Sequence, residues 1–137
     1  MKAIFSSKYQ KIFFAEDSNI LKFEWLDATK KISDLNFLKE INIAADFVLE
    51  FVPQKIMVDT RKLFYPISPD IQRQVDNAIL PSYQKVKLRK LAFVLQEEDL
   101  ISQISVKQTV ETTVEKHLFE TRYFFDELDA MQWLEVR

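Results

Sequence analysis

None of the 137 residues is glycine. P-loop and Rossmann phosphate-binding turns need glycine where backbone must approach phosphate, so both are excluded at once. Cysteine is absent too, which excludes disulfides, thiolate catalysis and cysteine-based metal sites. Folding therefore rests on apolar residues, 47% of the chain, beside 29% charged residues, an ordinary balance for a globular domain. Twelve Phe, four Tyr and two Trp set the composition far from that of disordered chains. The length suits one domain, and without a linker, repeat or low-complexity stretch residues 1–137 are read as a single unit. No apolar run approaches the ~18 residues of a membrane span. The opening Met1–Ser6 holds too short an apolar stretch for a signal peptide. The expectation is a cytoplasmic protein.

Periodicity then orders the chain. Ala3-Ile4-Phe5 and Tyr9 to Phe14 read as two close β-prone strands forming an antiparallel hairpin. Asn19 to Leu26 alternates, with Leu21, Phe23 and Trp25 on one face and Ile20, Lys22 and Glu24 on the other. A long helix follows from Ser33, its N-cap, to Val52, where Pro53 stops it. Its apolar stripe is Leu38, Ile41, Ala45, Val48 and Val52, widened by Leu35, Phe37, Ala44 and Leu49; Lys39, Glu40, Asp46 and Glu50 take the opposite face. Lys55 to Thr60 is an apolar strand of the type buried on both faces of a parallel sheet. Ser68-Pro69-Asp70 opens a second helix with cap, first-turn proline and acid in order; Ile71, Val75, Ala78 and Ile79 form its apolar face, and Pro81 is expected to end or kink it. Leu91 to Leu95 is the next strand, with a short helical piece from Glu97 to Ile104. Ser105 to Gln108 fits a capping box for a helix carrying Val106, Val110, Val114 and Leu118. Phe119 to Phe125 is the last strand, and Asp126 caps a final helix with Leu128, Ala130, Trp133 and Leu134. The fold class is α/β: a mostly parallel sheet of four strand-helix units, helices on its faces, preceded by the N-terminal hairpin.

Three stretches in this frame carry a resemblance. The strand Ile56-Met57-Val58-Asp59-Thr60 leads through a loop to the helix at Ser68. Lys90-Leu91-Ala92-Phe93-Val94 has the form K-x-A-hydrophobic. The ending Phe125 to Leu134 reads as an aromatic, acidic residues, then A-x-x-W-L. Together, from roughly Ile20 to Leu134, they resemble the SpoIIAA-like division of the STAS superfamily, the STAS/SEC14-like domains. The resemblance implies a non-enzymatic regulatory or binding module. Relatives among the anti-sigma-factor antagonists bind a kinase partner and are switched by phosphorylation in a pattern like D-S-S-G. Here Asp59-Thr60-Arg61-Lys62 occupies that place: Asp59 and the first hydroxyl match, while the second hydroxyl and the glycine are missing. The SEC14-like branch implies an apolar, lipid-like ligand held in a cavity between helices and sheet.

Asp59, Thr60, Arg61, Tyr65 and Ser68 lie at or beyond a strand's carboxyl end, where open α/β sheets bind ligands. The Ser68 helix start could receive an anion, and Thr60, then Ser68, are the candidate phosphate acceptors. Plain structural roles are equally available, Ser68 as N-cap and Asp59 as turn acceptor. The aromatics could line an apolar cavity, although at strand and helix periods such residues more often form core. Ile43 and Phe47 border the first helix's polar face and offer an interface patch; this patch or an edge strand could support a homodimer.

Residues 61–95 hold seven basic and two acidic residues, and 96–137 hold four and ten. With a pI near 5.5 and only the small cluster Lys85, Lys87, Arg89, Lys90, read as solvent-facing, nucleic acid is not an expected partner. His117, the single histidine, stands without a metal-binding pattern, and Glu97-Glu98-Asp99 reads as a helix start. No catalytic triad can be defined from one histidine. Neither enzyme activity, a cofactor nor a metal is expected. The expected partner is a protein or a small apolar or anionic ligand.

Overall fold

Along a strand, side chains alternate between faces, and a strand apolar at consecutive positions must be covered on both. The computed structural model describes residues 1–97 and 119–136. They form a six-stranded mixed sheet in chain order: β1 (Lys2–Ser6), β2 (Gln10–Ala15), β3 (Ile20–Trp25), β4 (Lys55–Asp59), β5 (Lys90–Val94) and β6 (Glu120–Phe124). β1 to β3 pair antiparallel, and β3 to β6 pair parallel. The expected N-terminal hairpin is present. Helix α1 (Asp34–Phe51) joins β3 to β4 and α2 (Pro69–Lys85) joins β4 to β5. They pack on each other and on one face of the sheet; α3 (Glu127–Glu135) covers the other. The helical segments expected between Glu98 and Leu118, with His117 and the Ser105 capping box, lie outside the described residues.

Each face has its own core. Ile12, Leu21, Phe23, Ile56 and Leu91 meet Ala44 and Val48 of α1 and Tyr83 of α2. Ile20, Met57, Ala92 and Val94 meet Ala130 and Leu134 of α3. The three expected caps that fall within the described residues form. The Asn36 N–H donates to Ser33 Oγ at 3.1 Å, Ile71 N–H to Ser68 Oγ at 3.2 Å, and Leu128 N–H to Asp126 Oδ1 at 2.6 Å.

Two expectations need correction, and a third, that Pro81 ends or kinks its helix, loses its first alternative. On α1, Glu40 is only 6% exposed, whereas Leu35 and Leu49 lie in solvent. The helix is rolled toward the hairpin, where Ser7 Oγ and Gln10 Nε2 both donate to the Glu40 carboxylate. On α2, Pro81 does not end the helix, which continues to Lys85; buried Tyr83 anchors the last turn, and Ser82 Oγ donates to the Ile79 carbonyl. Lys90 is not solvent-facing. It is buried in β5, its Nζ 4.9 Å from the centre of the Trp133 ring and donating to the Trp133 and Val136 carbonyls. A cation there neutralises the carboxyl end of α3.

Without glycine, chain reversals that need a left-handed residue must use one with a Cβ. Among the described residues Asn19, Val52 and Lys87 have φ of 55°, 47° and 56°. Each stands just before a parallel strand, at the sheet's amino edge. A backbone ladder ties this edge together: the Gln54 N–H donates to the Asn19 carbonyl (3.3 Å), Arg89 to Gln54 (2.8 Å) and Glu120 to Arg89 (3.0 Å). Asn tolerates the left-handed region, but a β-branched residue there is strained. Val52 is half exposed, so its side chain contributes little burial. Val52→Gly should raise stability by about 1 kcal/mol, strain relief outweighing the greater freedom of the unfolded chain. In urea denaturation the midpoint would rise at unchanged slope; a fall would show that Val52 is unstrained.

Candidate functional site

The parallel strands end in step at Trp25, Asp59 and Val94, and the chain leaving β4 takes nine residues to reach α2. This loop is tied down by one residue. Buried Thr29, in the 3₁₀ turn Asp27–Lys31, lies with its Oγ1 2.8 Å from the Leu26 carbonyl and 3.1 Å from that of Lys62, and accepts from the Phe64 N–H at 3.0 Å. The loop is thereby held beside the amino end of α1. There Tyr65 packs on Phe37, ring centres 4.4 Å apart, and donates its hydroxyl to Asp34. Burial, then that bond, push the Tyr65 phenol up to about 12.

Held this way, the loop leaves a cleft of about 720 Å³ between itself, α1, α2 and the sheet. Phe23, Trp25, Val58 and Phe93 line it from the strands, Phe37, Ile41 and Ala44 from α1, and Val75, Ile79 and Leu80 from α2; Leu63 to Ile67 form the rim. The polar lining is sparse. Among the described lining residues there is no Lys, Arg or His, and the carboxylate is Asp76. Burial pushes the Asp76 carboxyl above its ordinary value, partly offset by Gln72 Nε2 donating to its Oδ1 at 2.9 Å. Burial, and secondarily Asp76, raise the Tyr83 phenol too. Gln10 lines the cleft from β2, 0% exposed. Its Nε2 donates to the Glu40 carbonyl at 2.9 Å, while its Oε1 is buried without a hydrogen-bond partner.

The residues expected from the sequence are divided by the sheet. Thr60 and Tyr65 line the cleft. The Thr60 N–H (2.9 Å) and Oγ1 (3.1 Å) both donate to the Val94 carbonyl, which fixes it beside β5. Asp59 and Arg61 belong to the α3 face. Asp59 Oδ1 accepts from Arg61 N (3.1 Å) and Nε (3.0 Å), and Oδ2 accepts from Nη2 (2.8 Å). These bonds raise the Arg61 pKa against the opposing effect of burial. Glu127, paired with Lys22, lies 3.9 Å from Arg61. Ser68 caps α2 and is exposed. Ile43 and Phe47 are half-buried, Phe47 against Phe5 of β1 at 5.3 Å.

Gln10, Thr29, Gln72 and Asp76 were missed by sequence reasoning. Gln10 had a signal: it shares the strand face of Ile12 and Phe14, so a polar group points inward. Gln72, Asp76 and Tyr83 follow one helical stripe. Thr29 had none, since its partners are 33 and 35 residues away.

The fold and this opening define an α/β domain with an apolar cleft at the carboxyl edge of its parallel strands. No family model, curated protein or solved structure matches the chain. Among the described residues no helix is long and apolar enough to cross a membrane.

Thr29→Val removes the tether while keeping the shape. It should cost about 1–3 kcal/mol and speed amide exchange over residues 62–65; unchanged exchange would mean the loop is held otherwise. Asp76→Asn gives a pH signature. A carboxyl raised in the folded state is destabilising when ionised, so its burden is present above the folded pKa and disappears as pH falls below the ordinary 3.8. The variant should melt higher than the parent at neutral pH and equal it near pH 3. A constant difference across that range would contradict the burial of Asp76.

Proposed function

We propose that this protein is a non-enzymatic, cytoplasmic binding module of the STAS/SEC14-like kind that holds a small apolar molecule in the cleft between α1, α2 and the sheet. The observation that carries the reading is the cleft. Its volume of about 720 Å³ falls in the range of small-molecule sites, and apolar walls with a few polar groups are what such sites present. Its position supports the reading too, since open α/β sheets take ligands beyond the carboxyl ends of their strands. The successive parallel strands and the helix pair on one face fit the family resemblance. The lining favours an apolar ligand over an anionic one, because no cation stands among the described lining residues.

Regulation through a protein partner at the same loop is the second reading. What favours it is Ser68, exposed at the amino end of α2, where a phosphate is electrostatically welcome. Thr60 suits this role less well, its hydroxyl being committed to Val94.

Native mass spectrometry of the protein purified without detergent tests the first reading. The expected spectrum shows the 16.3 kDa chain with added mass of roughly drug size, released on collision. Ala44→Leu, which fills part of the cleft, should retain less. A bare chain mass for both proteins, with no saturable uptake of the neutral dye Nile red by either, would overturn it.

A further inference from the structure

We infer that the molecule held in the cleft bears a hydrogen-bond donor, an alcohol or amine head on an apolar body, and that Gln10 Oε1 receives it. The inference rests on the cleft being a ligand site, as proposed above. It begins with the orientation of one amide. Gln10 Nε2 faces two acceptors of Glu40, the carbonyl at 2.9 Å and Oε1 at 3.3 Å. Turning the amide over would set oxygen against oxygen, so the orientation is determined. The Glu40 carboxylate is held in place by Ser7, and Gln10 cannot swing away without leaving Glu40 buried and under-satisfied.

The outcome is a carbonyl oxygen, fully buried and without a partner, on a residue that lines the cleft. Buried acceptors are nearly always satisfied, and one left bare is costly. A ligand donor would remove that cost; a ligand acceptor would add to it. Two further polar groups on the lining have the same bias, while the phenols of Tyr65 and Tyr83 and the amide of Gln72 carry donors. Thr60 has already donated its hydroxyl hydrogen to Val94 and retains lone pairs. Asp76 has accepted one bond from Gln72 and retains acceptor capacity. With no Lys, Arg or His among the described lining residues, a carboxylate or phosphate head would find no counter-charge. Beside Gln10, Thr60 and Asp76 the cleft thus favours a donor head, and its described lining offers an anion no counter-charge.

A matched set of ten-carbon probes tests this: 1-decanol, its isomer methyl nonyl ether, decylamine and decanoate. The ether keeps the oxygen acceptor and lacks the donor. Trp25 lines the cleft and reports binding by fluorescence once the second tryptophan is removed as Trp133→Phe. We expect 1-decanol to bind about tenfold more tightly than the ether, and decanoate at pH 8 to bind most weakly. An alcohol and ether of equal affinity, or decanoate as the tightest probe, would overturn the donor inference while leaving the ligand reading intact. No saturable change with any probe would overturn the ligand reading and the inference with it. Decylamine separates the two heads: an advantage over 1-decanol that disappears in Asp76→Asn assigns a cationic amine, and equal or weaker binding assigns the alcohol. Gln10→Met should abolish the preference of alcohol over ether and spare ether binding. Should that variant not fold, the four-probe ranking on the Gln10 protein decides alone.

Discussion

A buried carboxylate orders the hairpin side of this molecule. Glu40 lies on α1, almost wholly out of solvent, and a charge in that position must be hydrogen-bonded or it destabilises the fold severely. Ser7 and Gln10, on the turn and strand beneath, supply the bonds. Meeting them rolls α1 toward the hairpin, which carries Leu35 and Leu49 outward and presses Phe47 onto Phe5. The same bonds consume the donor side of Gln10. The bare oxygen of Gln10 is therefore the other half of a structural interaction, fixed as firmly as the helix it helps to hold.

The far face has a different solution. Lys22, Asp59, Arg61 and Glu127 lie close enough to pair there, and Lys90 closes the carboxyl end of α3. Pairing in this manner lets charged residues on inward strand positions be buried against a short helix. It also explains why Asp59 and Arg61 are turned from the cleft although they border the loop that forms its rim. Period two places Asp59 on the same face as Met57 and opposite Val58.

Much of the architecture was legible in the sequence because local signals and tertiary demand agree there. Ser33, Ser68 and Asp126 cap as their spacing suggests, and the doubly buried strands show as apolar runs at Ile56-Met57 and Leu91-Ala92. What was not legible depends on contacts between distant segments. Glu40 looks like a solvent residue until Ser7 and Gln10 are brought beneath it. Lys90 looks solvent-facing until α3 brings its terminal carbonyls. Pro81 leaves an end and a kink both open until Tyr83 is seen to anchor the turn beyond it. Of the loop residues singled out, period two could have separated Asp59 from Thr60. The tether at Thr29 follows from geometry alone, and with it the cleft.

Among the described residues the left-handed ones, Asn19, Val52 and Lys87, all stand at the amino edge of the sheet, while the cleft opens at the carboxyl edge. In many proteins strained backbone gathers at the functional site, where it limits how far stability can rise before activity falls. Here strain and cleft are separated by the length of a strand. Selection on robustness could therefore act at one edge without disturbing recognition at the other, and the lack of glycine reads as stability still open to selection.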